Sequence, residues 1–318
     1  MSTLAVKVGK KNREAEDIVS LELASVDGKP LPLFSAGSHI DVHVGKGVVR
    51  QYSLCNDPTE SHRYLIAVLR DPQSRGGSIA VHEQINVGDV IQISEPRNHF
   101  ALVQAEHYLL LAGGIGVTPI LCMAERLAAS SASFEMHYCS RSPERTAFME
   151  RIQTSMFAER VQFHFDSGHP GQKLELDNVL VAAGADTHIY VCGPTGFIEF
   201  VTSTARAHGW DAGRVHFEYF GAAPQDTAGD TAFEVKIASS GMTYTIPADK
   251  SVCTTLLEHG IDIPVSCEQG VCGTCITRVL GGTVDHRDVY FTDEEKAAND
   301  QFTPCCSRAK SSQLVLDL

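Results

Sequence analysis

The chain has 318 residues, 43% of them hydrophobic and 20% charged, with 26 Gly and 13 Pro. That is the composition of globular protein, and at roughly 100–200 residues per domain it predicts two or three domains. A formal net charge of −13 argues against a nucleic-acid partner, which would need clustered Lys and Arg. No run of about 18 apolar residues offers a membrane span. The N-terminal MSTLAVKVGKKNREAED is too polar for a secretory signal, so the expected compartment is the cytoplasm.

From residue 4 to about 100 the signals are short strands: LAVKV, VSLELA, HIDVHV, RQYSL, YLIAVL and DVIQIS, separated by Gly, Pro, Asp and Asn turns. Several alternate apolar and polar residues, and this region is expected to form an antiparallel barrel over residues 1–102. The pattern changes near His107. HYLLLAG reads as a buried parallel strand leading through GGIGVTP into a helix, followed by SFEMHYCS (strand), RTAFMERIQ (helix), RVQFHFD (strand), a helix near 174–183, HIYVCGP (strand), a helix near 195–208 and RVHFEYF (strand). Such alternation predicts an open parallel sheet over 103–222, with a ligand beyond its strand C-termini. GAAPQDTAGDTA is linker-like, placed at 223–231. In 232–318, AFEVKIA and MTYTIPA form a hairpin, SVCTTLLEHG a short helix and LVLDL a final strand.

Ten cysteines could form a disulfide framework, but in a reducing compartment clustered thiols more often indicate a metal or redox centre. Cys55, Cys122, Cys139 and Cys253 lie scattered in apolar segments and are expected in cores. Cys267, Cys272 and Cys275 in CEQGVCGTC have the C-x4-C-x2-C spacing of a plant-type [2Fe-2S] site, with a fourth thiolate at Cys305 or Cys306. Zinc usually takes two separated C-x2-C pairs, and a Rieske centre needs two histidines that this loop lacks.

In AGGIGVTP, Gly113, Gly114 and Gly116 stand between a buried strand and a helix, where backbone N–H groups can approach a pyrophosphate. The spacing is not GxGxxG, and Ser140 and Arg141 rather than an acid follow the next strand, which leaves NADH or NADPH open. VCGP places Cys192, Gly193 and Pro194 at the carboxyl edge of the sheet. RQYS (Arg50, Tyr52, Ser53) and SRGGS (Ser74 to Ser78) are the unusual pieces of the barrel.

The order RQYSL, SRGGS, AGGIGVTP, VCGP, CEQGVCGTC resembles the phthalate dioxygenase reductase and vanillate O-demethylase reductase family over essentially the whole chain. The resemblance implies a multidomain fold: an antiparallel flavin-binding β-barrel, an α/β open parallel sheet for the nucleotide, and an α+β β-grasp plant-type ferredoxin. It implies that Arg50, Tyr52 and Ser53 line the flavin ring and ribityl chain, and that Arg75, Gly77 and Ser78 meet its phosphate. FMN is the family's usual flavin, while more distant relatives use FAD. Gly114, Gly116, Thr118, Cys192, Gly193 and Pro194 would hold the nicotinamide nucleotide, with Cys192 near the reacting ring and Phe220 at the flavin face. Cys267, Cys272, Cys275 and Cys305 would be the cluster ligands.

The activity so implied is an NADH-dependent flavin iron-sulfur oxidoreductase passing electrons from NADH to FMN to [2Fe-2S] and on to a Rieske-type oxygenase acting on an aromatic acid or similar small molecule. Hydride carries two electrons and the cluster takes one, so a flavin must stand between them. The 232–318 region carries 12 Asp/Glu against 7 Lys/Arg, a charge that a basic partner surface could use for steering. Two other readings compete: a self-contained reductase for a soluble carrier or quinone, and a redox-sensing iron-sulfur module.

Overall fold

A computed structural model of the chain describes residues 3–45, 48–72, 76–221 and 227–318. It divides into two compact units, Met1–Tyr219 and Phe220–Leu318.

The first unit opens with β1 (Thr3–Ala15), β2 (Ile18–Ser25), β3 (Ser38–His43), β4 (Val49–Ser53), β5 (Tyr64–Leu69), α1 (Gly77–Gln84), β6 (Val90–Ser94) and the two-residue β7 (Arg97–Asn98). The six longer strands lie in the order β4-β3-β6-β1-β2-β5. The outer strands then meet: an antiparallel bridge joins Leu54 to Ile66, and the Cys55 N–H donates to the Leu65 carbonyl at 2.9 Å. The sheet is therefore closed into a barrel, which removes its free edges. Alternate residues point inward, so Val6, Val8, Leu21, Leu23, Ile40, Val42, Ile66, Val68, Ile91 and Ile93 share one core. Lys11 reaches from β1 to the end of α1, where Nζ donates to the carbonyls of Val81, His82 and Ile85 at 3.1, 2.7 and 2.7 Å. These are last-turn carbonyls without helical partners, so the lysine both caps and anchors the helix.

The unit continues as β8 (His107–Gly113), α2 (Val117–Ala129), β9 (Ser133–Ser140), α3 (Met149–Gln153), β10 (Val161–Phe165), α4 (Leu176–Ala182), β11 (Thr187–Gly193), α5 (Thr195–Ala207) and β12 (Val215–Tyr219). Its five strands are all parallel, ordered β10-β9-β8-β11-β12. The chain runs outward from β8 on one side and resumes with β11 on the other. The turns after β8 and β11 thus flank a topological switch point, where open α/β sheets hold ligands. One difference from the sequence reading is that RTAFMERIQ supplies only the five residues of α3. Phe148 stands in the left-handed region at φ 59°, so the helix cannot extend upstream through it.

The second unit comprises β13 (Phe233–Ile237), β14 (Thr243–Ile246), α6 (Val252–Glu258), β15 (Thr277–Gly281), β16 (Val284–Asp285), α7 (Asp293–Ala298), β17 (Gln301–Phe302), β18 (Arg308–Ala309) and β19 (Gln313–Leu316). β13 pairs with β14 as a hairpin and with β19 in parallel, giving the order β14-β13-β19-β15-β17. α6, capped by Ser251 accepting from the Thr254 N–H, packs Val252, Cys253 and Leu256 into the sheet's core. Arg308 is buried and bound on several sides. It donates to the carbonyls of Lys250, Thr231 and Pro247 and pairs with Asp230.

Candidate functional site

The turn after β8 is a single 3-10 turn, Gly114–Gly116, feeding α2, and the turn after β11 is Gly193-Pro194, feeding α5. The two touch through backbone. A Cβ on Gly116 would stand 2.3 Å from the Cys192 carbonyl oxygen and 2.5 Å from the Gly193 nitrogen, so no larger residue fits. The glycines predicted as a phosphate cradle are also what lets the two turns meet at the switch point. No side chain caps the N-terminus of α2; the Val117 N–H is taken by the carbonyls of the preceding turn, and Pro119 lacks an N–H. Thr118 is buried, with its hydroxyl donating to the Ile115 carbonyl at 3.1 Å.

Cys192 is fully buried, and its thiol is raised well above the ordinary value by burial and then by the Glu218 carboxyl beside it. The parallel register of β11 and β12 sets these two residues directly opposite each other. Burial pushes Glu218 up to about 8, against the opposing effect of a hydrogen bond with Ser53 from β4. Its Oε2 is sealed from solvent and has no hydrogen-bond partner among the described residues. Ser53, Glu218 and Cys192 therefore form one polar cluster joining the barrel to the switch point. Sequence reasoning missed Glu218, although an acid between the aromatics of FEYF was the available signal.

In the barrel, Arg50 and Tyr52 lie on β4, with burial raising the tyrosine phenol. Gly77 begins α1 against Arg50: a Cβ there would stand 2.6 Å from Arg50 Cγ. The helix start and the guanidinium stem are thus brought together, as an anion site requires. The Ser78 hydroxyl accepts from the Asp71 N–H at 3.2 Å. Arg75 lies outside the described residues. Phe220 follows β12 directly, is 41% exposed and begins the second unit.

The cysteine loop lies between α6 and β15. Among the described residues no three His, Cys, Asp or Glu side chains converge on a single-ion position. The thiols meet in a chain instead: Cys267 contacts Cys272 and Cys305, and Cys275 contacts Cys305 and Cys253. Hydrogen bonds from these neighbours hold Cys267 and Cys275 well below the ordinary thiol range. Four of these five sulfurs, those of Cys267, Cys272, Cys275 and Cys305, match the ligand number of a binuclear cluster, whose ligands divide between two irons, and Cys253 belongs to the core of the sheet. Gly270, at φ +73°, gives the loop its tight turn: a Cβ there would lie 2.4 Å from Cys306 Sγ and 2.9 Å from Asp288. Cys305 faces the other ligand thiols, whereas Cys306 Sγ sits 3.3 Å from Thr303 Oγ1 and 3.9 Å from Ser307 Oγ. Of the cysteines expected in cores, Cys55, Cys122 and Cys253 are buried and Cys139 is only half-buried.

Family comparison accords with this geometry. The profile of the 2Fe-2S iron-sulfur cluster binding domain matches residues 235–310, and that of the oxidoreductase NAD-binding domain matches 110–203. The chain is 58% identical to vanillate O-demethylase oxidoreductase of Pseudomonas putida, covering 98% of both chains. It is 41% identical to phthalate dioxygenase reductase of Burkholderia cepacia over 99% of this chain and 97% of that one. The chain belongs to the phthalate dioxygenase reductase and vanillate O-demethylase oxidoreductase family. The solved structure of phthalate dioxygenase reductase, described as modular for electron transfer from pyridine nucleotides to [2Fe-2S], superposes with a TM-score of 0.81 at 41% identity, covering 100% of this chain and 98% of that one. As in that reductase family, the barrel, parallel sheet and iron-sulfur domain follow one another along a single chain. Among the described residues no helix is long and apolar enough to cross a membrane.

Proposed function

We propose that this protein is the reductase component of a two-component Rieske-type oxygenase system of the cytoplasm, taking a hydride from NADH and delivering single electrons to the oxygenase. FMN supplies the two-to-one electron conversion when bound, and the [2Fe-2S] cluster carries the single electrons outward. The observation that supports the reading is the combination, in one chain, of Gly77 packed against the Arg50 stem, a glycine-packed switch point and a three-cysteine loop met by Cys305. The division into 1–102, 103–222 and 232–318, joined by 223–231, follows the same logic.

Within this reading Gly77 and Ser78, with Arg75, bind the flavin phosphate, and Tyr52 and Ser53 line the ring and ribityl chain; Arg50, expected beside them, is assigned to the phosphate instead because its stem packs against Gly77. Gly113, Gly114, Gly116, Thr118, Gly193 and Pro194 bind and orient the nicotinamide nucleotide. Cys192 stays a neutral thiol and excludes water from the reacting face, and Glu218 holds Ser53 and a proton beside it. Phe220 keeps the flavin-face role that the resemblance gives it. Cys267, Cys272, Cys275 and Cys305 ligate the cluster; support for Cys305 over Cys306 is that its thiol faces the other ligands.

Reconstitution with an oxygenase encoded beside this gene tests the proposal. NADH oxidation coupled to conversion of the oxygenase's substrate is expected. Rapid reduction of a soluble carrier or quinone with no support of that oxygenase would favour the self-contained reductase instead.

A further inference from the structure

Beside the cysteine loop lies a buried polar chain that no step above uses. Asp288 has no side-chain exposure to solvent. Its Oδ1 accepts from His286 Nδ1 and from the Ser307 hydroxyl, each at 3.3 Å, and its Oδ2 accepts from the Phe291 N–H at 2.9 Å. The Ser307 oxygen, itself buried, accepts from the Arg287 N–H at 3.1 Å and lies 3.0 Å from Thr303 Oγ1. Thr303 Oγ1 in turn meets Cys306 Sγ, and Cys306 touches the Cys305 thiol. Lys296 Nζ donates to the Asp288 carbonyl rather than its carboxylate. The Val289 N–H donates to the Gly270 carbonyl at 3.1 Å, so the same segment clamps the cluster loop.

The carboxylate fixes the direction of this chain, because an ionised carboxylate only accepts. Ser307 must donate its one hydroxyl proton to Asp288, and Thr303 then donates to Ser307. The lone pairs of Thr303 Oγ1 are left facing Cys306. Both the buried charge and the ordered hydroxyls thus present negative potential toward the segment that carries Cys305. Net charge and hydrogen bonding around the sulfurs set iron-sulfur potentials, and a neighbouring negative charge disfavours the added electron.

We propose that Asp288, acting through Ser307 and Thr303, is a positioning residue that holds the reduction potential of the [2Fe-2S] cluster low. The inference rests on the cluster reading above. An Asp288→Asn variant removes the charge and can donate to Ser307, which reverses the chain and turns the Thr303 hydroxyl proton toward Cys306; both effects act in the same direction. A Ser307→Ala variant keeps the charge and only breaks the chain.

The test is an EPR-monitored redox titration of the purified full chain, with iron content measured alongside. Wild type and Asp317→Asn, an exposed carboxylate just past the last strand, are expected to share one midpoint potential. Asp288→Asn, loaded to the wild-type iron content, is expected to titrate at a more positive potential, with Ser307→Ala between the two. An unchanged or more negative midpoint in fully loaded Asp288→Asn overturns the proposal. Should that variant fail to load, Ser307→Ala decides: a loaded protein titrating with wild type overturns it equally. Absence of any cluster signal from wild type would instead overturn the cluster reading itself.

Discussion

Glu218 ties the barrel to the nucleotide sheet, and its enclosure makes the first unit's stability depend on pH in a calculable way. Its carboxyl moves from an ordinary 4.5 to about 8 on folding, mainly through burial. Below the lower value both folded and unfolded chains hold the proton, and nothing is lost. Between the two values only the folded chain holds it, so stability falls as pH rises, by about 1.4 kcal/mol per pH unit and on the order of 5 kcal/mol in all. Above the higher value the loss is complete. Glu218→Gln keeps the shape and cannot titrate. The one tryptophan of the chain, Trp210, packs against the core of the nucleotide sheet and reports unfolding of the first unit alone. Urea unfolding of the flavin-free protein, followed by that fluorescence, is expected to show wild type losing about 3 kcal/mol relative to Glu218→Gln between about pH 5.5 and pH 7.5. Parallel pH profiles for the two proteins would refute the buried-acid reasoning.

Gly116→Ala places a methyl against the Cys192 backbone and is expected to destabilise the first unit by about 1–3 kcal/mol while raising the KM for NADH; thermal melts and initial rates check both. Cys272→Ser is expected to abolish cluster-dependent cytochrome c reduction and to leave reduction of the flavin by NADH nearly intact, as stopped-flow absorbance would show. Arg308→Met strands three carbonyls and leaves Asp230 to Arg287 alone, so the second unit should lose roughly 3–5 kcal/mol in denaturant unfolding while the Trp210 transition stays in place.

Most of the architecture was legible because its signals are local. Period-two alternation marks the barrel strands, continuous apolar runs mark β8 and β11, and the spacing of Cys267, Cys272 and Cys275 carries the cluster. What escaped depends on contacts distant in sequence. Glu218 gains its character only when β12 lies beside β11 and under Ser53 of β4. The glycines of AGGIGVTP read as phosphate contacts, yet Gly116 is equally required by the approach of Cys192. Helix α3 stops short because Phe148 takes a left-handed conformation that no propensity of RTAFMERIQ announces. The choice between Cys305 and Cys306, adjacent in sequence, turns on which way each thiol points.

The central claim is the order of electron flow, and anaerobic rapid mixing with NADH, with optical detection of the flavin and freeze-quench EPR of the cluster, tests it most directly. Flavin bleaching is expected first, with the reduced-cluster signal rising as the flavin gives up one of its two electrons, and Cys272→Ser is expected to keep the first phase and lose the second. A cluster signal that precedes flavin reduction, or a folded, flavin-loaded Cys272→Ser protein in which NADH no longer reduces the flavin, would contradict the account.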